Sequence, residues 1–172
     1  MRILKNEFLW IAIILLGLFF SSATPYSDQS IVSPLEKVNW SWIEPTLEKV
    51  QFDYASHEVS LETKGTAGLI EFLIRKAAHF FTFFALGFLF VKAVSRTSLH
   101  VSLTLLFAWT LSNTVAIFDE THQSLTPERT PLLQDVLLDS TGAMFGVLLV
   151  GGIYLALRKG KTQKRTGYIS LG

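Results

Sequence analysis

The sequence predicts an all-α membrane protein with four transmembrane helices, and three observations carry that prediction. Of its 172 residues, 49% are hydrophobic and only 17% charged, with a mean hydropathy of +0.39; an ordinary soluble domain holds about 25% charged residues. The apolar residues gather into four long blocks rather than recurring at a helix or strand period. The Lys and Arg residues are shared unequally between the polar stretches separating those blocks. This composition excludes intrinsic disorder. The absence of cysteine excludes a disulfide framework, thiolate zinc sites, iron–sulfur clusters and a cysteine nucleophile. The net charge of +1 gives no reason to expect a nucleic-acid partner.

The first block, residues 8–20, follows Arg2 and Lys5 and ends at Ser21-Ser22-Ala23. It has two readings. A basic start, a short apolar run and a small-residue exit fit a secretory signal peptide, whereas residues 6–24 make a marginal spanning helix against a requirement of about 17–25 residues. In both, the chain after Pro25 emerges on the far side of the membrane.

An outer segment follows. Ser33-Pro34-Leu35-Glu36 reads as a helix start, with Ser33 as N-cap, Pro34 at the first helical position and Glu36 closing a capping box. Leu35, Val38, Trp42 and Ile43, with Trp40 and Trp42 as interfacial aromatics, predict a short amphipathic helix on the outer leaflet that Pro45 breaks or restarts. Residues 50–54 and 58–61 alternate about Ala55-Ser56-His57 and predict a short β-hairpin.

The remaining blocks predict helices over about 75–95, 98–118 and 135–157, joining the first at about 6–24. Residues 1–157 then form one integral membrane domain, and 158–172 a basic cytoplasmic tail. With the N-terminus inside, nine of the fifteen basic residues lie on the inner side against the single acid Glu7; the outer side holds the other six against thirteen acids. The short turn with Lys92 and Arg96 and the tail beginning Arg158-Lys159 agree with the positive-inside rule, and both termini are expected to be cytoplasmic.

Alternating crossings bring the start of helix 2, the end of helix 3 and the start of helix 4 to one outer edge, where the unusual polar residues lie. Helix 2 brings Arg75, Lys76 and His79. Helix 3 and the following loop bring Asp119, Glu120, His122, Gln123, Pro127, Glu128 and Arg129. Helix 4 brings Asp135 and Asp139, on the same stripe as Gly142 and Gly146. Ionisable groups inside a membrane cost about 2.5–3.5 kcal/mol each at mid-helix, so they find partners or face a cavity. Three readings stand: an ion-pair lattice of Arg75, Lys76 and Arg129 with Asp119, Glu120, Asp135 and Asp139; an outward site whose arginines bind an anionic headgroup; or a catalytic or metal site built from His79, His122 and the carboxylates.

Other motifs have plainer readings. Asp119, Glu120 and His122 do not reproduce the HExxH spacing of a zinc protease, so no metal or other cofactor is assigned. Ser140 has no GxSxG context. His57 and His100 read as ordinary solvent or interface histidines. Gly142 and Gly146 form a small-xxx-small helix-packing face, and Phe80, Phe81, Phe83, Phe84, Phe88 and Phe90 read as bundle and lipid packing. Four crossings with no broken helix or inverted repeat argue against alternating-access transport unless copies of the chain oligomerise.

The order Arg75-Lys76-x-x-His79-Phe80 and Leu86-Gly87, then Asp119-Glu120-x-x-Gln123 with Pro127 and Arg129, then Asp135-x-x-x-Asp139-x-x-Gly142-x-x-x-Gly146, resembles the VanZ family of bacterial membrane proteins. The likeness covers roughly 1–157 and includes Tyr54-Ala55-Ser56-His57-Glu58-Val59-Ser60 and Glu71-Phe72. It implies a small helical protein of a bacterial plasma membrane that keeps its N-terminal helix, and a link to low-level resistance to the glycopeptide teicoplanin, without naming a reaction. Thr82 departs from the acidic residue often found after the His-Phe pair, and Asp139 stands where many members have Asn. The added charge raises the demand for a basic partner.

The functional expectation is a protein that binds or acts on a cell-envelope component at its outer polar cluster, with membrane lipids, a lipid-linked cell-wall precursor or a glycopeptide antibiotic as partners. Arg75, Lys76 and Arg129 would contact the anionic group, Asp119, Glu120, Asp135 and Asp139 would orient them, and His79 would bridge, with Gln123 beside them. The alternatives are a membrane hydrolase or transferase using His79 or Glu120 as acid/base, and a structural or regulatory subunit held by ion pairs alone.

Overall fold

The computed structural model describes residues 6–169, with side chains for 6–153. In chain order the elements are α1 (Glu7–Ser22), three one-turn helices α2 (Tyr26–Gln29), α3 (Val32–Leu35) and α4 (Glu44–Leu47), a hairpin of β1 (Gln51–Tyr54) and β2 (His57–Ser60), and three long helices α5 (Leu61–Val94), α6 (Val101–Gln123) and α7 (Leu133–Ile169).

α5, α6 and residues 133–153 of α7 are each long and apolar enough to cross a membrane. α1 is apolar but has only 16 residues, about 24 Å at 1.5 Å per residue against about 30 Å of hydrocarbon. Three of the four expected crossings therefore meet the length requirement and the first falls short. α1 still lies along the bundle. Glu7 at its start pairs with Arg96 just beyond α5, Ser22 at its end hydrogen-bonds Asp119 of α6, and Ile11, Ile14 and Leu18 between them pack around Phe83, Leu86 and Ala116.

The long helices differ from the expected spans at their ends, for local reasons. α5 begins at Leu61 rather than 75 because Ser60 and Thr63 form a reciprocal capping box: the Ser60 side chain accepts from the Thr63 N–H at 3.2 Å and Thr63 Oγ1 accepts from the Ser60 N–H at 3.1 Å. Gly65, with φ 65° and ψ 169°, is non-helical and kinks the chain, so the capped turn 61–64 joins the continuous helix that follows across a break that suits glycine. The extension is held by a satellite core in which Leu69 and Ile70 pack with Leu47 and Val59. α6 runs on to Gln123, so Asp119 and Glu120 sit in its last turns rather than in a loop. α7 starts at Leu133 and its backbone stays helical to Ile169. The basic side chains from Arg158 onward, like Arg2 and Lys5, lie outside the described residues.

The outer segment departs further from expectation. Ser33 lies within α3, whose N-cap is Ile31, so the capping box expected at Ser33 does not form. The single interfacial helix is divided into α3 and α4, the latter with Pro45 in its first turn. Trp40 turns inward: its indole N–H donates to the Leu35 carbonyl at 2.8 Å and its ring packs on the satellite core, while Trp42 stays 73% exposed. The hairpin is antiparallel, pairing Phe52 with Val59 and Tyr54 with His57. Its turn is the two residues Ala55 and Ser56, with φ of 53° and 64°; positive φ at both positions is the hand that matches strand twist.

α5 and α7 are joined by an unusually close seam. A Cβ added at Gly142 or Gly146 would lie closer than 3.0 Å to the backbone oxygen of Phe80 or Phe84, and one at Gly87 would meet Ala143 in the same way. The backbones touch because these residues have no side chains. Lys76 lies opposite Asp135, His79 opposite Asp139, Phe80 opposite Gly142 and Phe84 opposite Gly146. Numbering advances on both helices together, so α5 and α7 run parallel.

Candidate functional site

Helix direction places the start of α5, the end of α6 and the start of α7 at one end of the bundle, and the α6–α7 loop and α2 close over it. Two layers of polar residues result.

The outer layer is built from cations. Lys76 is paired: its ammonium contacts Asp135, and the Tyr54 hydroxyl of the hairpin donates to the same carboxylate. Arg75 instead lies over the Tyr26 ring, 4.3 Å from its centroid, and its Nη2 is buried without a hydrogen-bond partner. Arg129 donates through Nη2 to Gln29 Oε1 at 2.7 Å and reaches the Thr24 carbonyl at 3.3–3.4 Å. Among the described residues neither arginine has a carboxylate within 4.0 Å. The acids nearby are engaged elsewhere: Glu71 accepts from the Tyr26 hydroxyl, the Ser30 hydroxyl and the Ile31 N–H, and Glu128 from the Ser27 N–H. Arg75, Lys76, Arg129, His79, Gln123 and Asp135 line a common cavity of about 240 Å³.

The electrostatics of the loop residues fit this picture. Burial, and then the neighbouring positive charge of Arg75, lower the pKa of Arg129. Two like charges held near each other attract an anion more strongly than either alone. Burial pushes the Tyr54 hydroxyl up and its bond to Asp135 pushes it further; burial and Glu71 do the same to Tyr26. Both phenols therefore remain hydrogen-bond donors at neutral pH.

The inner layer is acidic and closed. Asp119, Glu120 and Asp139 are 4%, 6% and 2% exposed. Asp119 accepts from the Ser22 hydroxyl and, at 2.9 Å, from the Gln123 amide, while Glu120 accepts from the Leu132 N–H. His79 Nδ1 lies 3.5 Å from Asp139 Oδ2, whereas Asp139 Oδ1 has no partner. Donor atoms of His79, Asp119 and Asp139 all fall within 4.8 Å of one another.

The residues expected at the outer edge thus meet, but not as one lattice. Lys76–Asp135 and His79–Asp139 are the ion pairs present there among the described residues, leaving both arginines unpaired. His122 does not join the cluster; it stacks on Phe19, with ring centroids 4.7 Å apart. His57 is exposed, and His100 accepts from the Ser102 N–H as the N-cap of α6. Ser22, Tyr26, Tyr54 and Glu71 are site residues that sequence reasoning missed. Each acts on partners at least 40 positions away, so no local spacing marks it.

A family model described as VanZ/LLP1 matches residues 8–155, from α1 through the apolar part of α7. No curated protein and no solved structure matches the chain.

Proposed function

Because the chain belongs to the VanZ/LLP1 family, we propose that it is a bacterial plasma-membrane protein, with both termini cytoplasmic, whose outer cavity binds the anionic group of a cell-envelope component. The phosphate of a lipid-linked cell-wall precursor is the ligand chemistry that fits best, and protection against a glycopeptide antibiotic is the associated phenotype. The observation that carries this reading is that Arg75 and Arg129 face one cavity of about 240 Å³ without a carboxylate partner, while the neighbouring Lys76 is already paired. Guanidinium groups offer planar, bidentate donors to phosphate oxygens and stay charged when partly buried.

The test is binding of a polyprenyl-phosphate lipid to the purified protein in detergent. Arg75→Ala and Arg129→Ala should each weaken binding about tenfold, or about 1.4 kcal/mol, and should raise glycopeptide susceptibility at normal protein levels. Unaltered lipid binding and unaltered susceptibility in the double variant would overturn the reading.

The part-buried His79–Asp139 contact, with His79 also in the cavity wall, favours a second reading in which the bound lipid is turned over by a hydrolase or transferase step with His79 as acid or base. Product release from the same lipid, lost in His79→Gln while lipid binding is kept, distinguishes it from binding alone.

A further inference from the structure

We propose that His79, Asp119 and Asp139 bind one divalent cation of the zinc or manganese class beneath the arginine-lined cavity. The three donors come from three different helices, α5, α6 and α7, yet offer ligand atoms that all lie within 4.8 Å of one another. Metal–ligand bonds of about 2.0–2.2 Å place donor atoms roughly 3–4 Å apart, so closing around an ion needs side-chain adjustment of about an ångström.

A second observation points to a missing ligand. Asp139 is 98% buried, since 2% of it is exposed, and its Oδ1 has no hydrogen-bond partner. Its one contact, His79 Nδ1 at 3.5 Å, is longer than the roughly 2.7–2.9 Å of a well-made charge-assisted bond. Two buried carboxylates face one imidazole, and among the described residues no lysine or arginine pairs with either of them: Lys76 contacts Asp135, Arg75 lies over the Tyr26 ring, and Arg129 donates to Gln29 and Thr24. A divalent ion supplies the two positive charges that balance the pair.

The donor chemistry selects the class. One imidazole nitrogen with two carboxylate oxygens and no thiolate suits zinc or manganese rather than a soft ion such as Cu(I). Ser22 and Gln123 hydrogen-bond the Asp119 carboxylate and fix its orientation, as outer partners of metal ligands do. His79 also lines the cavity. Three protein ligands leave a further coordination position for water or an anion oxygen entering from that side. This inference is separable from the anion reading, which rests on Arg75 and Arg129, although His79 borders both sites.

The experiment uses the full-length protein in detergent, stripped with a chelator, freed of phosphate and titrated with Zn²⁺ or Mn²⁺. Elemental analysis should find about one ion per chain with one of these metals, and the metal should raise the thermal unfolding midpoint. Asp139→Asn and His79→Gln should each weaken the affinity at least tenfold and abolish the midpoint shift. Asp135→Asn, Arg75→Ala and Arg129→Ala should bind the metal as wild type does, so a failed anion reading leaves this result untouched. Absence of stoichiometric binding of both metals by the wild-type protein overturns the proposal, as does wild-type affinity in Asp139→Asn. If Asp139→Asn does not fold, His79→Gln decides by the same criterion.

Discussion

The same two helices, α5 and α7, meet in two different ways along their length. Over Gly87, Gly142 and Gly146 they touch backbone to backbone, with no room for one added methyl. One to two turns further out they are bridged by long polar side chains, Lys76 to Asp135 and His79 to Asp139, and they border a cavity of about 240 Å³. The glycine seam fixes the relative placement of the helices along a stretch without ionisable side chains. The outer end inherits that placement and is free to hold charges that do not all pair. Close backbone packing and charge are thus separated along one interface, the packed part setting the placement of the polar part.

The largest expected effect breaks the seam itself. Gly146→Leu must force apart backbones that pack at van der Waals contact; small-to-large changes in tight cores cost about 1–3 kcal/mol and more where backbone has to move. The variant should lose most of its folded yield, read by size-exclusion recovery in detergent, and with it all ligand binding. Near-normal yield would mean that α5 and α7 are not held by this contact.

Next in size is a backbone strain at the top of α5. Gly65 adopts φ 65° and a Cβ added there would meet nothing within 4 Å, so Gly65→Ala tests conformation rather than crowding and should destabilise by about 1–2 kcal/mol. The loss should appear as easier proteolysis of the outer segment, since Leu69 and Ile70 tie that segment to α5. Loss of the transmembrane core at the same protease concentration would show that the two regions are not separable.

The sequence revealed the seam and the charges unequally. Gly142 and Gly146 were legible because their spacing alone puts them on one stripe, and alternating crossings were enough to bring Arg75, Asp119 and Asp135 to one end. What stayed hidden depends on long-range contacts. Tyr54 reaches Asp135 across 81 positions, and whether Arg75 meets a carboxylate or the Tyr26 ring cannot be read from spacing. The ends of α5 and α6 were misplaced because hydropathy marks where a lipid-compatible run stops, whereas the helix continues wherever a cap and a satellite core support it. α1 shows the converse: its polar ends find partners, Glu7 on Arg96 just beyond α5 and Ser22 on Asp119 of α6, although its length falls short of the other helices.

A smaller effect tests the outer end alone. Tyr54 is raised in pKa by burial and by Asp135, so the folded protein keeps the phenol proton to higher pH than the unfolded chain does. The stability this contributes is fully present below about pH 10, the unfolded value, and is lost as pH rises above it, because the unfolded state then releases a proton that the folded state must retain. Tyr54→Phe removes this dependence, and at neutral pH it should cost only the net worth of one hydrogen bond, about 0.5–1.5 kcal/mol. Thermal unfolding followed from pH 7 to 11 should therefore fall more steeply for the wild type than for Tyr54→Phe, with the curves converging at high pH. Because Tyr54 touches Lys76 and Asp135 but none of the seam glycines, the variant should keep its folded yield. A loss as large as that of Gly146→Leu would place the hairpin in the scaffold and remove the distinction between the two regions.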